Sequence, residues 1–433
     1  MCRIINKPLI IAKVDMERGI SVNLMSLLLS LSEALDLANL QHSRHHLRTA
    51  YIAWEIANAA KMPQHLLEQL FIAALLHDIG ALTAENESEF QKEEVMYPER
   101  HGLIGETHIK RVPMFAPSAQ IVKNHHIFWR EWNEGIDTPK VIQSQILLLA
   151  DTLEKATDYN KYILHQDQGL ISYLNSMSGT VLHPSIVELL KSVASRESFW
   201  LDLVSPKVYS NLLNNGPFKS VVIDLSYLIP ISELFRNLVD FRSRFTVVHS
   251  SGVAGCASAI ARLVGLTETE ITLMEIAGNF HDLGKITVPN TVLNKSSQLN
   301  REELAIMRSH TYYTYYILST INGIQHIAEW AAYHHERLDG SGYPFHVDAR
   351  QLSVGSRIMA VADTITALTE PRPYRSAMKS QEILATLKDM GGKNYLDKNI
   401  IRLVDENFDV VQAAKTKQQF EVRTVYEQDF ATS

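Results

Sequence analysis

The stretch His281-Asp282-Leu283-Gly284-Lys285 brings a histidine, an aspartate and a lysine close together in the chain. Adjacent imidazole and carboxylate groups can bind one metal ion, and the second carboxylate oxygen can reach another. On a helix, Lys285 would share a face with both, because residues three and four apart are neighbours. Several positive centres over one pocket suit a phosphate, since phosphoryl transfer depends mainly on positioning and charge neutralisation.

Other histidines and acids decide between this interpretation and a helix cap beside a core histidine, which is the commoner meaning of an isolated His-Asp pair. His249 precedes the stretch, and His310, HHERLDGSGYP at 334–344 and VAD at 361–363 follow it. The candidate ligands are His249, His281, Asp282, His310, His334, His335 and Asp363. Such a mixture of imidazoles and carboxylates suits Fe, Mn or Zn better than Ca or Mg.

The same residue types recur, in the same order, in the N-terminal half of the chain. They are His45, His77, Asp78, His101, His125, His126 and Asp151. In both sets 32 residues separate the first two histidines, and 24 separate the third histidine from the paired histidines. The repeat predicts a duplicated fold with insertions in its loops. Duplication of a scaffold whose histidines only pack is disfavoured, because all seven residue types are retained.

Composition limits the class of protein. A chain of 433 residues is long enough for two or three domains. Its 41 Lys and Arg against 48 Asp and Glu argue against a general nucleic-acid binder but allow a small anionic ligand. The only cysteines, Cys2 and Cys256, provide no disulfide framework and favour the reducing cytosol. No apolar run approaches the ~18 residues that span a bilayer, so no membrane segment is expected.

Hydrophobic periodicity predicts an all-α fold. AYIAWEIANAA at 50–60 has the spacing of an amphipathic helix, and VNLMSLLLSL at 22–31 is interpreted as a core helix. Strand-like alternation is confined to short pieces such as SVVIDLSYLI at 220–229. The C-terminal segment KTKQQFEVRTVYEQDF is either a final helix or a frayed end.

The motifs HDLGK, HHERLDGSGYP, VAD and RPYR (372–375) together resemble the HD-GYP family of cyclic-dinucleotide phosphodiesterases, a branch of the HD metallohydrolases. The resemblance covers roughly 240–410, and 40–160 resembles a plain HD domain without the GYP loop. It implies two HD-type helical bundles in tandem, the second with a GYP loop. The expected domains are 20–165 (N-terminal HD), 166–238 (helical connector), 239–410 (HD-GYP, catalytic) and 411–433 (C-terminal tail).

The resemblance also implies roles for residues. The seven C-terminal candidates would hold two divalent metals, with Asp282 bridging; Fe or Mn leads, and Zn, Ni, Co and Mg are alternatives. Lys285 would contact the scissile phosphate. The residues expected at the pocket mouth or on the substrate are Arg337, Gly340, Gly342, Tyr343, Pro344, Arg372 and Arg375, although solvated surface arginines are an equal alternative. Three positions depart from the family pattern: Phe245, the tyrosine-rich run after His310, and Thr366.

The implied reaction opens cyclic di-GMP or 3′,3′-cyclic GMP-AMP to a linear 5′-phosphorylated dinucleotide. The alternatives are a receptor without catalysis and an HD phosphohydrolase for another nucleotide. In the N-terminal copy Ala81 replaces Lys285, so that copy is either a second phosphohydrolase, resembling a 5′-nucleotidase, or a degenerate scaffold. The expected partner is a small cyclic dinucleotide, with no large nucleic acid or membrane; a homodimer or a signalling-protein partner stays open.

Overall fold

The computed structural model describes residues 20–38, 44–83, 99–243, 247–371 and 377–430. Phe245, Arg372 and Arg375 lie outside these ranges. The described chain is built of helices, which confirms the all-α prediction.

The helices of the first half and the connector are short to medium in length. They are α1 (Leu24–Leu37), α2 (His45–Ala59), α3 (Gln64–Leu76), α4 (Glu99–Lys110), α5 (Ala119–Lys123), α6 (Pro139–Ala156), α7 (Asp167–Ser176), α8 (Pro184–Ala194), α9 (Glu197–Val204), α10 (Val208–Asn215) and α11 (Leu225–Asp240). Single 3₁₀ turns follow or join them at Ile79–Thr83, Ala116–Ser118, Trp129–Glu131 and Ile163–His165.

The second half repeats this order. Its helices are α12 (His249–Val264), α13 (Glu268–Phe280), α14 (Asn290–Leu293), α15 (Arg301–Ser319), α16 (Gln325–Ala332), α17 (Val354–Thr369), α18 (Ser380–Gly392), α19 (Lys398–Glu406) and α20 (Phe408–Phe430). Its 3₁₀ turns are Leu283–Thr287 and Tyr333–His335.

The duplication is visible in the positions of the elements. α13 begins and ends 204 residues after α3 (268 − 64 and 280 − 76). The 3₁₀ turn at 283–287 follows that at 79–83 by the same interval. α2 and α12 both begin on the first histidine of a candidate set. The helices that carry the two sets are therefore copies, and the loops between later helices differ in length.

One short sheet joins the copies. β1 (Val22–Asn23) pairs antiparallel with β2 (Val222–Ile223), with Val22 opposite Ile223. Within the described ranges these are the only paired strands, so the alternation at 220–229 forms just one strand of two residues. The chain turns into α11 directly afterwards, where Asp224 caps the helix by accepting from the Ser226 N–H.

α1 is buried on nearly all sides, which confirms the core helix expected around 22–31 from Leu24 onward. A helix that is apolar all round needs neighbours on every face. α1 finds them in both bundles. Ser30 Oγ lies 2.7 Å from Thr320 Oγ1, and the Asn322 N–H donates to Ser26 Oγ at 3.2 Å, both in the second bundle.

The C-terminal segment is a helix rather than a frayed end. α20 packs along α12, where a Cβ added to Gly255 would lie 2.8 Å from the Ala414 carbonyl oxygen. Lys415 Nζ donates to Thr369 Oγ1 at 2.7 Å, and Gln419 Nε2 donates to Glu370 Oε1 at 2.8 Å. The expected boundary at 410/411 falls inside this helix, and the domain limits stay a prediction. Among the described helices, none is long and apolar enough to cross a membrane.

Candidate metal centres

The C-terminal ligand candidates come from five elements and converge on one buried cluster. His249 opens α12, His281 ends α13, and His310 lies within α15. The paired histidines occupy the 3₁₀ turn after α16, and Asp363 lies within α17. All of these side chains are buried except that of His335, which is 32% exposed. The structure thus brings together all seven residues that the sequence singled out.

The Asp282 carboxylate lies between two halves of the cluster. Its Oδ2 is 3.3 Å from His281 Nε2 and 3.8 Å from His249 Nε2. Its Oδ1 is 3.3 Å from His310 Nε2 and 4.0 Å from His334 Nε2. Each oxygen therefore faces a different pair of imidazoles, as a carboxylate shared by two cations would.

Backbone carbonyls orient the imidazoles. The Nδ1 atoms of His281, His310 and His334 lie 2.8, 2.6 and 2.7 Å from the carbonyl oxygens of residues 278, 307 and 331. Because a carbonyl only accepts, each Nδ1 carries the proton and each Nε2 presents a lone pair to the cluster. Nε2 of His281 is buried without a hydrogen-bond partner. Converging lone pairs and carboxylates with such an unpartnered atom fit a divalent cation.

The first histidine of each set is instead oriented by a glutamate. His249 Nδ1 is 2.8 Å from Glu370 Oε2, and His45 Nδ1 is 2.6 Å from Glu154 Oε2. A carboxylate behind a ligand imidazole sets its tautomer and raises its basicity. Burial lowers the pKa of His249, but Glu370 and Asp363 outweigh it and raise the pKa to about 10. Sequence reasoning missed both glutamates, although Asp151-x-x-Glu154 on one helix face was a usable signal.

The N-terminal centre has the same plan. Asp78 Oδ2 is 3.3 Å from His77 Nε2 and 3.6 Å from His45 Nε2. Asp78 Oδ1 is 3.6 Å from His101 Nε2 and 3.7 Å from His125 Nε2. His126 and Asp151 complete the cluster: His126 Nε2 is 3.0 Å from His101 Nε2, and Asp151 Oδ1 is 3.4 Å from His45 Nε2. All seven N-terminal candidates therefore meet as well.

An aspartate from the preceding helix positions the start of each first-histidine helix. Asp36 accepts from the backbone N–H of His46 at 3.1 Å, and Asp240 accepts from that of Ser250 at 3.0 Å. A carboxylate at a helix N-terminus satisfies exposed N–H groups and suits the helix dipole. The two aspartates also lie 204 residues apart, so the repeat extends beyond the ligands.

Comparisons with known proteins agree with this duplicated plan. Two family models, both described as HD domain, match residues 43–156 and 233–400. The chain is a tandem HD-domain protein, and its second domain is of the HD-GYP type. A chain with two HD domains should contain two clusters of this kind, one in each matched region, and both are present.

Individual relatives cover the chain to different extents. The 3′3′-cGAMP-specific phosphodiesterase 1 of Vibrio cholerae is 28% identical over 403 residues, 89% of this chain and 92% of that protein. A cyclic di-GMP phosphodiesterase of Thermotoga maritima is 35% identical over 171 residues, 39% of this chain and 46% of that protein. A crystal structure of the cyclic GMP-AMP-specific phosphodiesterase V-cGAP3 of V. cholerae superimposes with a TM-score of 0.64 at 22% identity, covering 90% of this chain and 98% of that one. That similarity shows the shared fold.

The GYP loop of the second HD domain packs against its paired histidines. The Tyr343 N–H donates to the His335 carbonyl oxygen at 3.2 Å, and the Phe345 N–H donates to Glu336 Oε1 at 2.7 Å. A Cβ on Gly342 would collide with the backbone of Glu336, so the loop needs glycine there. The Tyr343 ring lies 4.9 Å from the His335 ring, with Pro344 next in the chain. The loop therefore forms a wall beside the HD-GYP centre.

Two arginines near the GYP loop contact aromatic rings. Arg337 stacks on Tyr395, with Cζ 4.1 Å from the ring centroid, and Nη1 donates to Ser341 Oγ at 3.3 Å. Arg308, which the sequence did not suggest, lies over the Tyr343 ring at 5.0 Å. It precedes His310 by two residues, which was the only available signal. Arg308 thus has a direct contact with the GYP loop, and a role for Arg337 or Arg375 on the substrate stays a prediction.

The tyrosine-rich run after His310 divides into packing and exposed residues. Tyr315 stacks with Tyr333 at 5.9 Å and meets Phe345 edge-on at 5.1 Å. Tyr312 and Tyr316 stack with one another at 6.4 Å and are nearly half exposed. Tyr312 also lies 6.2 Å from the Phe345 ring, so the run packs around Phe345 while part of it faces solvent.

A lysine lies at the rim of each centre. Lys285 Nζ is 2.5 Å from Asp282 Oδ2, and Lys155 Nζ is 3.0 Å from Asp151 Oδ2. Arg242 supports the first of them, since its guanidinium donates to the carbonyl oxygens of Lys285 and Ile286, at 2.9 Å each. Burial would raise the pKa of Asp282, but His281 and Lys285 hold it well below its usual range. These neighbours favour the ionised form of the Asp282 carboxylate.

Proposed function

We propose that this tandem HD protein is a metal-dependent phosphodiesterase that opens a cyclic dinucleotide at its HD-GYP centre and releases a linear 5′-phosphorylated dinucleotide. The observation that carries the proposal is the position of the Asp282 carboxylate. Its two oxygens face different pairs of imidazoles, and Lys285 contacts Oδ2. The GYP loop beside the cluster and the similarity to phosphodiesterases of cyclic dinucleotides support the same activity.

We propose 3′,3′-cyclic GMP-AMP as the preferred substrate, with cyclic di-GMP as the second candidate. Two relatives that align with 89% and 84% of this chain are named for cyclic GMP-AMP. Relatives named for cyclic di-GMP, such as that of T. maritima, align with about two-fifths of it. We therefore expect this chain to share the substrate preference of the relatives that align over most of its length.

The residues would hold two divalent ions in each centre. In the HD-GYP centre, His249, His281 and Asp363 form one group and His310, His334 and His335 the other, with Asp282 common to both. Fe or Mn suits this ligand mixture, with Zn, Ni, Co and Mg as alternatives. When bound, such ions lower the pKa of water and offset charge on phosphoryl oxygens.

The chain's own groups orient the phosphodiester. Lys285, whose side chain is 17% exposed, places a fixed positive charge where phosphoryl oxygens approach the bridging carboxylate. Tyr343 and Arg308 limit the pocket on the side of the paired histidines. Water adds to phosphorus, the bond from phosphorus to the 3′ oxygen breaks, and that oxygen takes up a proton. The phosphate remains on the 5′ oxygen of the linear product.

We also propose that the N-terminal centre is a second phosphohydrolase, which removes the 5′ phosphate from the linear product. The specific observation in its favour is that Asp78 divides its oxygens between two imidazole pairs as Asp282 does. A scaffold that only packs would have no need of that arrangement. A cytoplasmic location and a homodimer or signalling partner stay predictions.

Product analysis tests both activities. The protein, supplied with Mn or Fe, is incubated with each cyclic dinucleotide beside Asp282→Ala, and the products are resolved by mass spectrometry. A linear 5′-phosphorylated dinucleotide that is absent with Asp282→Ala is the expected result. A dephosphorylated linear product, lost in His77→Ala, supports the second activity. Tight binding of every cyclic dinucleotide without product, with metal content verified, would establish a receptor instead.

A further inference from the structure

The lysine beside each centre comes from a different element. Each of the two positions holds a lysine in one domain and an alanine in the other. Lys285 follows the His-Asp pair by three residues, and the matching N-terminal position is Ala81. Lys155 follows the last acid, Asp151, by four residues, and the matching C-terminal position is Ala367. Each centre therefore has one lysine, from the 3₁₀ turn in the HD-GYP domain and from α6 in the N-terminal domain.

We propose that Lys155 is the phosphate-contacting cation of the N-terminal centre, in the role that Lys285 has in the HD-GYP centre. This rests on the proposed second activity, in which the N-terminal domain hydrolyses a phosphomonoester. Lys155 Nζ lies 3.0 Å from Asp151 Oδ2, on the same carboxylate whose Oδ1 is 3.4 Å from His45 Nε2 and 3.5 Å from His77 Nε2. The ammonium thus borders the cluster directly.

Each lysine contacts a carboxylate that faces the first two histidines of its set. Lys285 contacts Asp282, whose Oδ2 is 3.3 Å from His281 Nε2 and 3.8 Å from His249 Nε2. Lys155 contacts Asp151, whose Oδ1 faces His45 and His77. The charge of Lys155 therefore lies beside the same pair of histidines, although it comes from another helix.

Lys155 and Asp78 of the N-terminal centre are more exposed than Lys285 and Asp282, which suits a different substrate. Lys155 is 35% exposed and Asp78 16%, against 17% for Lys285 and 4% for Asp282. A terminal phosphate carries up to two negative charges and three unesterified oxygens, so it needs a cation at an open rim more than a diester does. In the reaction, water adds to phosphorus, the bond from phosphorus to the 5′ oxygen breaks, that oxygen takes up a proton, and inorganic phosphate leaves.

The competing explanation is that Lys155 only neutralises Asp151, as surface lysines often do for a neighbouring carboxylate. Lys161 is the matched control on the same domain. Its Nζ lies 3.0 Å from Asp158 Oδ2, with 72% of the side chain exposed, and that ion pair involves none of the candidate ligands. Both lysines pair with a carboxylate on the same domain, but of the two only Lys155 borders the cluster.

The test measures binding in the full-length, Mn-loaded protein with Asp282→Ala, which disables the HD-GYP centre. Calorimetry compares the 5′-methylenephosphonate analogue of the linear dinucleotide, which is not hydrolysed, with the dinucleotide that lacks the phosphonate. Metal content is measured for every variant. We expect the analogue to bind more tightly, and Lys155→Ala and Lys155→Gln to weaken its binding by roughly 10- to 100-fold, the scale of one charge-assisted hydrogen bond. Lys155→Arg retains most of the affinity, and Lys161→Ala and all metal contents are unchanged.

Three outcomes would overturn the proposal. In the first, Lys155→Ala and Lys161→Ala bind the analogue equally well. In the second, Lys155→Ala loses metal together with affinity, which makes Lys155 a support for Asp151. In both cases phosphate release by wild type still leaves a second hydrolase in place. In the third, the phosphonate adds no affinity; then the second activity fails as well, whereas cleavage of the cyclic substrate by wild type would leave the phosphodiesterase standing.

Discussion

Glu370 and Glu154 each lie behind the first histidine of a centre and fix the orientation of its imidazole. Both accept from Nδ1 of the first histidine, and both are held in turn. Gln419 of α20 donates to Glu370 at 2.8 Å, and the Tyr159 hydroxyl donates to Glu154 at 2.8 Å. The fixed carboxylate already selects the tautomer with the proton on Nδ1. No free energy is therefore needed to select that tautomer when a cation binds at Nε2.

Glu370→Gln should weaken metal binding at the HD-GYP centre by roughly 10- to 100-fold, because a neutral amide supports the imidazolium-like charge of His249 less well. Cleavage of the cyclic dinucleotide should fall in parallel and recover at high Mn. Titration with Mn, followed by metal analysis, measures the effect. Glu154→Gln is the matched control and should leave this cleavage intact. Unchanged Mn affinity in Glu370→Gln would show that the carboxylate only packs.

Among the elements, the 3₁₀ turn after each His-Asp pair packs closely against the helix that carries the third histidine. The Gly284 N–H donates to Thr314 Oγ1 at 2.9 Å, and Thr314 Oγ1 donates to the His281 carbonyl oxygen at 3.1 Å. A Cβ at Gly284 would collide with the backbone of His310 in α15, and one at Gly80 would collide with that of His101 in α4. The close approach sets the distance from Asp282 to His310 and from Asp78 to His101.

Gly284→Ala should therefore push α15 away and lower the stability of the second bundle by about 1–3 kcal/mol, the usual cost of overpacking. Phosphodiesterase activity should fall more than stability alone explains, because Asp282 and His310 separate. Thermal denaturation and product formation measure the two effects. Gly392→Ala is the matched control, since a Cβ there meets nothing within 4 Å. Equal melting temperatures for the two variants would refute this account of the turn.

For the molecule as a whole, the duplication places two clusters of buried acceptors in one chain and joins them through α1 and the β1–β2 pair. The imidazole nitrogens of each cluster lie close together: His45 Nε2 is 3.1 Å from His77 Nε2, and His310 Nε2 is 3.3 Å from His334 Nε2. A bound divalent ion would attract these nitrogens and the neighbouring carboxylates of the folded chain together, so we expect metal binding and folding to be coupled.

Removing metal with a chelator should lower the melting temperature, and Mn should restore it. An ion at 1,000 times its dissociation constant stabilises by about 4 kcal/mol, which calorimetry can resolve. Asp282→Ala should lose only the part of the Mn effect that belongs to the second bundle, and Asp78→Ala only the part that belongs to the first. If chelation left both bundles unchanged in metal-loaded wild type, the clusters would be packing histidines.

The order of residues alone was sufficient for the all-α class, for two copies of one ligand set and for the HD-GYP resemblance. Residue type and spacing carry that information, because a ligand set repeats only if its chemistry is retained. The sequence did not reveal Glu370, Arg308 or the role of Lys155. Glu370 and Arg308 contact side chains on other elements, and Lys155 pairs with Asp151 four residues earlier on α6. Which face of α6 or α15 meets the cluster, and where Glu370 lies after the end of α17, depend on how the helices pack. Helical spacing identifies neighbours along one helix, whereas the neighbours of a centre built from five elements are decided by tertiary structure.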